Sequence, residues 1–202
     1  MAKRIKARAD NLRRRLALEA ARIVEEQGIE DYRLAKRKAA ERLGVGDQAA
    51  LPKNSEIEAA LGERQRLFAG ESHTLWLRRL RDIARRTMRL LAEFEPRLVG
   101  PVLSGTATRH SNVLLHVFAD APEAVAIRLM ECEIPYQPCE RRLRMNAERV
   151  VRLPGYRFLA GDVTVVTTVF PPHGVRQAPM SPVDGRPMRR AALAELDRLL
   201  AE

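Results

Sequence analysis

The chain has 202 residues, 46% of them hydrophobic and 31% charged, with a formal net charge of +10. That balance excludes a disordered chain and leaves one large domain or two small ones, long enough to bury a core. No apolar run approaches the roughly 18 residues of a membrane-spanning helix, and the basic start lacks the apolar stretch of a secretory signal. A cytoplasmic protein with no membrane partner is expected, its two cysteines (Cys132 and Cys139) reduced rather than bridged or metal-bound.

Ile5, Ala9, Leu12, Leu16, Ala20 and Ile23 recur at spacings of three and four, which predicts a long amphipathic helix stopped by Gly28. A second helix is predicted over residues 31–43, ending at Gly44, and Pro52 interrupts the chain before the next helix. Ser55 and Glu58 read as a capping box heading a third helix to about residue 68. The fourth, from about residue 74 to 94, carries Trp76, Leu80, Ile83, Thr87, Leu90 and Phe94 on one stripe and six arginines on its other face. Pro96 closes this helical region, residues 1–95, which holds 22 Lys and Arg against 15 Asp and Glu. The surplus draws an anionic partner to this half, or reflects the arginine-rich, lysine-poor usage of a high-GC genome.

Beyond Pro96 the period changes. Strands are predicted at residues 98–103 and 113–119, then a helix to about residue 132 with Asp120 as its cap and Pro122 in its first turn. Further strands are predicted at residues 135–143, 149–153, 156–160 and 163–170, the last β-branched almost throughout. A Gly/Pro/Arg loop over residues 173–187 leads to a final helix over residues 188–200. The fold class expected is α+β: a basic helical region, residues 1–95, then a small mixed α/β domain, residues 96–202.

The chemistry centres on the polar turn of residues 104–112. A strand ending in Ser104-Gly105-Thr106 leaves backbone N–H groups for a phosphate to approach, because glycine permits close contact. Gly105-Thr106 resembles the first element of the polymerase-β-like nucleotidyltransferase superfamily, in which a glycine turn cradles the nucleotide. In that resemblance the next strand supplies an Asp-x-Asp pair for two metal ions. Asn112 and Leu114 fall at those positions here, so the resemblance implies a degenerate core, with Mg²⁺ expected only if the protein is active and Asp162 as the candidate catalytic carboxylate.

A second resemblance covers nearly the whole chain. Residues 21–44, Leu51-Pro52-Lys53-Asn54, residues 56–61, residues 98–107 and Leu115-His116-Val117-Phe118-Ala119-Asp120 are similar to a family of small bacterial nucleotidyltransferase-like proteins. Some members carry a UDP-N-acetylmuramate–alanine ligase label. This chain has no Gly-Lys-Thr phosphate loop and is too short for a three-domain ligase. The resemblance implies a nucleotide or nucleic-acid phosphate bound by Gly105, Thr106, Arg109, Ser111, Asn112 and Arg176.

Other side chains have readings of their own. Arg78, Arg81, Arg85 and Arg89 form a face for a nucleic acid or an acidic partner, or a solvated face of ion pairs. The helices ending at Gly28 and Gly44 resemble a TetR-type helix-turn-helix, with Lys36, Arg37, Lys38 and Arg42 toward phosphate, although residues 46–52 interrupt that unit. His110 lies in the turn where a phosphate contact is possible, whereas mid-strand His116 reads as a satisfied core histidine. Arginines before the last helix suit either an anion or a cap.

Overall fold

A computed structural model of the chain describes residues 2–29, 31–46, 51–68 and 70–201, with side chains from residue 7 onward. The side chain of Ile5, at the head of the predicted stripe, and residues 47–50, within the predicted interruption, lie outside that description. The architecture is α+β, with an N-terminal helical region and a five-stranded mixed sheet. The chain divides into two compact units. The first is Met1–His73 with Thr108–Ser111 and Pro182–Asp184; the second is Thr74–Ala107, Asn112–Ser181 and Gly185–Glu202.

The first unit is built from α1 (Ala2–Gln27), α2 (Tyr32–Arg42) and α3 (Asn54–Phe68). The periodic stripe of α1 supplies Leu16, Ala20 and Ile23 to a core completed by Ala35 and Ala39 of α2 and Ile57 and Leu61 of α3. Gly28, at φ +64°, ends α1 as predicted, and the Asp31 carboxylate caps α2 by accepting the Arg33 N–H at 2.8 Å. Gly28 is needed for space as well: a Cβ there would come within 2.7 Å of the His110 side chain. The predicted capping box is shifted. Ser55 lies inside α3, and the reciprocal carboxylate is Glu56, which accepts the Lys53 N–H at 2.6 Å.

The second unit opens with most of α4 (Gly70–Leu90), so the fourth helix, grouped by sequence with residues 1–95, packs with the sheet. A 3-10 turn (Ala92–Phe94) then leads to β1 (Arg97–Val99), α5 (Pro101–Ser104) and β2 (Val113–Phe118). Next come α6 (Pro122–Glu131), β3 (Tyr136–Arg144), β4 (Val150–Ala160) and β5 (Val163–Phe170). A second 3-10 turn (Pro172–Arg176) and α7 (Leu193–Ala201) complete the unit. The sheet order is β1-β2-β5-β4-β3, with β2 and β5 parallel and every other pair antiparallel. Leu115 and Val117 of β2 and Val165 and Val169 of β5 form one core with Leu80, Ala84 and Met88 of α4, Leu129 of α6 and Leu196 of α7. Their every-other-residue spacing on the strands is what puts one face of the sheet under the helices.

Four local expectations are corrected. The strand predicted at residues 98–103 ends at Val99, because Gly100 turns the chain at φ +72° and Pro101, needing no donor, starts the short α5. The strands predicted at residues 149–153 and 156–160 are one, β4. Pro154 leaves the β3–β4 ladder intact, pairing with Glu140, whereas the β4–β5 ladder ends just before it, at Gly155 with Thr168. Asp120 does not cap α6; Ala121 holds the cap position, without a side-chain bond. The last helix starts at Leu193 rather than residue 188, because Ala191 first pairs with Leu98 in an antiparallel bridge.

Candidate functional site

The polar turn around Gly105 is closed on itself. The N–H groups of Leu103 and Ser104 donate to the Gly100 carbonyl, and those of Gly105 and Thr106 donate to the Pro101 carbonyl, all at 2.9–3.0 Å. Gly105 does adopt the left-handed conformation, φ +87°, but as the end of α5, so its neighbouring amides point into the helix rather than toward a ligand. Thr106 Oγ1 lies 2.9 Å from Ser104 Oγ. Ser111 is likewise used locally, its Oγ accepting the Thr108 N–H at 2.9 Å.

The expected phosphate-binding residues are divided between the two units. Arg109 and Ser111 belong to the first unit, while Gly105, Thr106, Asn112 and Arg176 belong to the second. Within the second unit, Asn112 and Asp162 precede the parallel strands β2 and β5, so they share one end of the sheet. Arg176 comes after β5 and sits at the other end. A strand of eight residues separates Asp162 from Arg176, roughly 25 Å at the usual rise. The donor set does not fit the magnesium ions implied by the resemblance. Asn112 and Leu114 carry no charge, the Asp162 carboxylate is exposed and paired with Arg79, and among the described residues no three His, Cys, Asp or Glu side chains cluster.

The arginine face of α4 is largely bonded within the second unit. Arg81 donates to the carbonyls of Val102 and Leu199, each at 3.3 Å. Arg85 pairs with Asp82, and Arg86 reaches the same carboxylate at 2.9 Å. Arg85 and Arg89 approach Asp197 at 4.0 and 3.8 Å. Arg79 holds Asp162 and also lies over the Trp76 ring, 5.3 Å from its centre. Arg78 is exposed and has no hydrogen-bond or ion-pair partner among the described residues. An open cleft of about 300 Å³ is walled by Leu75, Arg78, Arg79, Asp82, Arg85 and Leu200. Of the four arginines predicted to meet nucleic acid, Arg78 and Arg85 line this cleft. Arg81 and Arg89 do not, and Arg79 is the member that sequence alone left out.

His116 is the satisfied core histidine expected of it, 3% exposed on β2. Its Nδ1 accepts from Arg190 Nε at 3.0 Å, and its ring lies 4.6 Å from that of Phe170. Burial, with Arg190 and Arg141 beside it, holds this imidazole well below the usual histidine range, so it is neutral. Arg190 also donates to the Gly174 carbonyl at 2.7 Å and lies over the rings of Phe118 and Phe170. Burial, reinforced by Arg97, lowers its pKa to about 10. Arg190 thus ties the segment between β5 and α7 to the sheet, a structural use of one of the arginines that precede the last helix. Compared with known proteins, the chain matches no family model, no curated protein and no solved structure.

Proposed function

We propose that the protein binds a phosphate-bearing ligand, a nucleotide or a nucleic acid, through the arginine-walled cleft on α4, and acts by binding rather than by turnover. The observation that carries this reading is Arg78: an exposed guanidinium with no acceptor among the described residues, at the wall of a cleft whose other two arginines are held in place by carboxylates. Prepositioned guanidiniums suit phosphate because they present several donors in a fixed fork. The flanking apolar groups, Leu75 and Leu200, offer a surface for a base or sugar.

Fluorescence anisotropy with labelled ATP, GTP, CTP, UTP and an oligonucleotide tests it. Arg78→Gln should weaken binding about tenfold, the loss of one charge-assisted contact; unchanged affinity contradicts the reading. A second, nucleotidyltransferase-like reading draws support from Gly105, Asn112 and Asp162, which lie toward one end of the sheet. It requires nucleotide binding that is lost in Gly105→Asp and insensitive to Arg78→Gln.

A further inference from the structure

The hairpin of β3 and β4 is longer than the sheet it belongs to. The last pair between β4 and β5 is Gly155 with Thr168, whereas β3 and β4 continue pairing out to Arg144 and Val150. Five residues of each strand therefore form a two-stranded arm, roughly 17 Å long at the usual rise. The arm and its turn, residues 140–154, hold five arginines against two glutamates.

The two faces of the arm differ. Arg141, Leu143, Val151 and Leu153 are all half-buried. On the opposite face Glu140, Arg142, Arg144, Val150, Arg152 and Pro154 are all exposed, paired as Glu140 with Pro154, Arg142 with Arg152 and Arg144 with Val150. The hairpin closes with the Met145 N–H donating to the Arg149 carbonyl at 2.8 Å. Alternation then makes Arg142 and Arg152 a non-hydrogen-bonded pair, the position where cross-strand side chains come closest. Like charges directly opposite one another destabilise a sheet. Among the described residues the one ion pair here is that of Arg152 with Glu140, 3.5 Å apart with both side chains well exposed. Arg142 has no hydrogen-bond or ion-pair partner among the described residues. Arg144 is fixed by donating to the Asn146 and Ala147 carbonyls, and the Asn146 side chain braces the turn by accepting from Glu148 and Arg149.

We propose that this exposed face of the β3–β4 arm is a docking surface for a nucleic-acid duplex, with Arg142 and Arg152 contacting its phosphates and Arg144 beside them. A two-stranded ribbon has the cross-section a duplex groove admits. The opposed arginines form a concentrated positive charge that a phosphate oxyanion relieves. The face carries no aromatic ring on which single-stranded bases would stack, which favours the duplex over a single strand. The arm is separate from the α4 cleft, and the two proposals fail independently.

The test uses the full chain and a fluorescein-labelled DNA duplex of about 20 base pairs, with affinity measured from about 50 to 200 mM salt. The double variant Arg142→Gln/Arg152→Gln should bind at least about tenfold more weakly, with a salt slope shallower by about 1.8, two released counterions' worth. Its melting temperature should be no lower than the parent's, which separates lost contacts from lost fold. Glu140→Gln should bind more tightly, since it frees Arg152. An unchanged slope in the double variant overturns the proposal. So does equal competition by polyglutamate of matched charge, which would make the surface one for acidic protein. Loss in Arg78→Gln with none in the double variant assigns duplex binding to the cleft alone and overturns the arm, whereas the reverse pattern supports the arm.

Discussion

The arginines of α4 and those of the β3–β4 arm are alike in sequence and different in surroundings. On α4, Arg79, Arg85, Arg86 and Arg89 meet Asp162, Asp82 and Asp197, and Arg81 is spent on two carbonyls. On the arm, Arg142 faces another arginine across the ladder and Arg152 has one loosely held glutamate. Helix α4 lies on the core and draws carboxylates from the β4–β5 turn and from α7, so its charges are mostly neutralised within the unit. The arm runs past the last β4–β5 pair, and among the described residues the one ion pair on its exposed face comes from its own Glu140. Availability of a charge for a partner is set by what the fold brings to it, and a count of arginines does not report that.

Disrupting the arm's root breaks this contrast most forcefully. A Cβ at Gly155 would lie 2.1 Å from the Thr167 carbonyl oxygen, a backbone atom that cannot swing away. Gly155→Ala should therefore cost about 3 kcal/mol or more and lower the melting temperature sharply. A stability within about 0.5 kcal/mol of the parent contradicts the geometry. Next comes Arg190→Met, which leaves the Gly174 carbonyl and His116 Nδ1 without their donor. A loss of about 2–3 kcal/mol is expected in chemical denaturation.

Arg81→Gln sharpens the contrast from the α4 side. It should lower stability by about 1–2 kcal/mol and leave duplex binding unaltered, because its donors are already engaged. A pH series isolates His116. In the unfolded chain this imidazole takes its proton near the usual value of about 6.5, while the folded state refuses it, so stability is full above that pH and falls as pH drops below it. The loss should be about 1 kcal/mol by pH ~5.5, and His116→Gln should flatten it. The smallest effect belongs to the arm: Arg142→Gln should change stability by no more than about 0.5 kcal/mol, in the stabilising direction, because it relieves a like-charge pair. Arginines that hold the fold and arginines that are free for a partner thereby separate on a stability axis before any ligand is added.

Much of the fold is legible in the residues themselves. The stripe of Leu16, Ala20 and Ile23, the left-handed Gly28 and the β-branched run Val163–Phe170 act locally, and each forms the element its pattern predicts. The apolar run across Leu98 and Leu103 misleads because Gly100 and Pro101 inside it turn the chain after three strand residues. The Ser104-Gly105-Thr106 turn misleads for a related reason: sequence shows that glycine is present, while the direction of the surrounding amides depends on the helical turn formed before it. Long-range pairing is the larger omission. Arg79 and Asp162 stand 83 residues apart, so the neutralisation of α4 has no local signature. The arm is hidden by its own regularity, since arginines alternating with Leu and Val read as an ordinary strand with one face in water. What singles out that face is the early end of the β4–β5 pairing, visible only when the ladder is assembled.

Binding through arginine side chains left free to meet phosphate is tested most directly by the salt dependence of duplex affinity in the unmodified chain. A logarithmic plot of affinity against salt should be linear with a slope of about −2 or steeper, as expected when two or more phosphates are neutralised. A flat plot, or no measurable binding at about 50 mM salt, contradicts it.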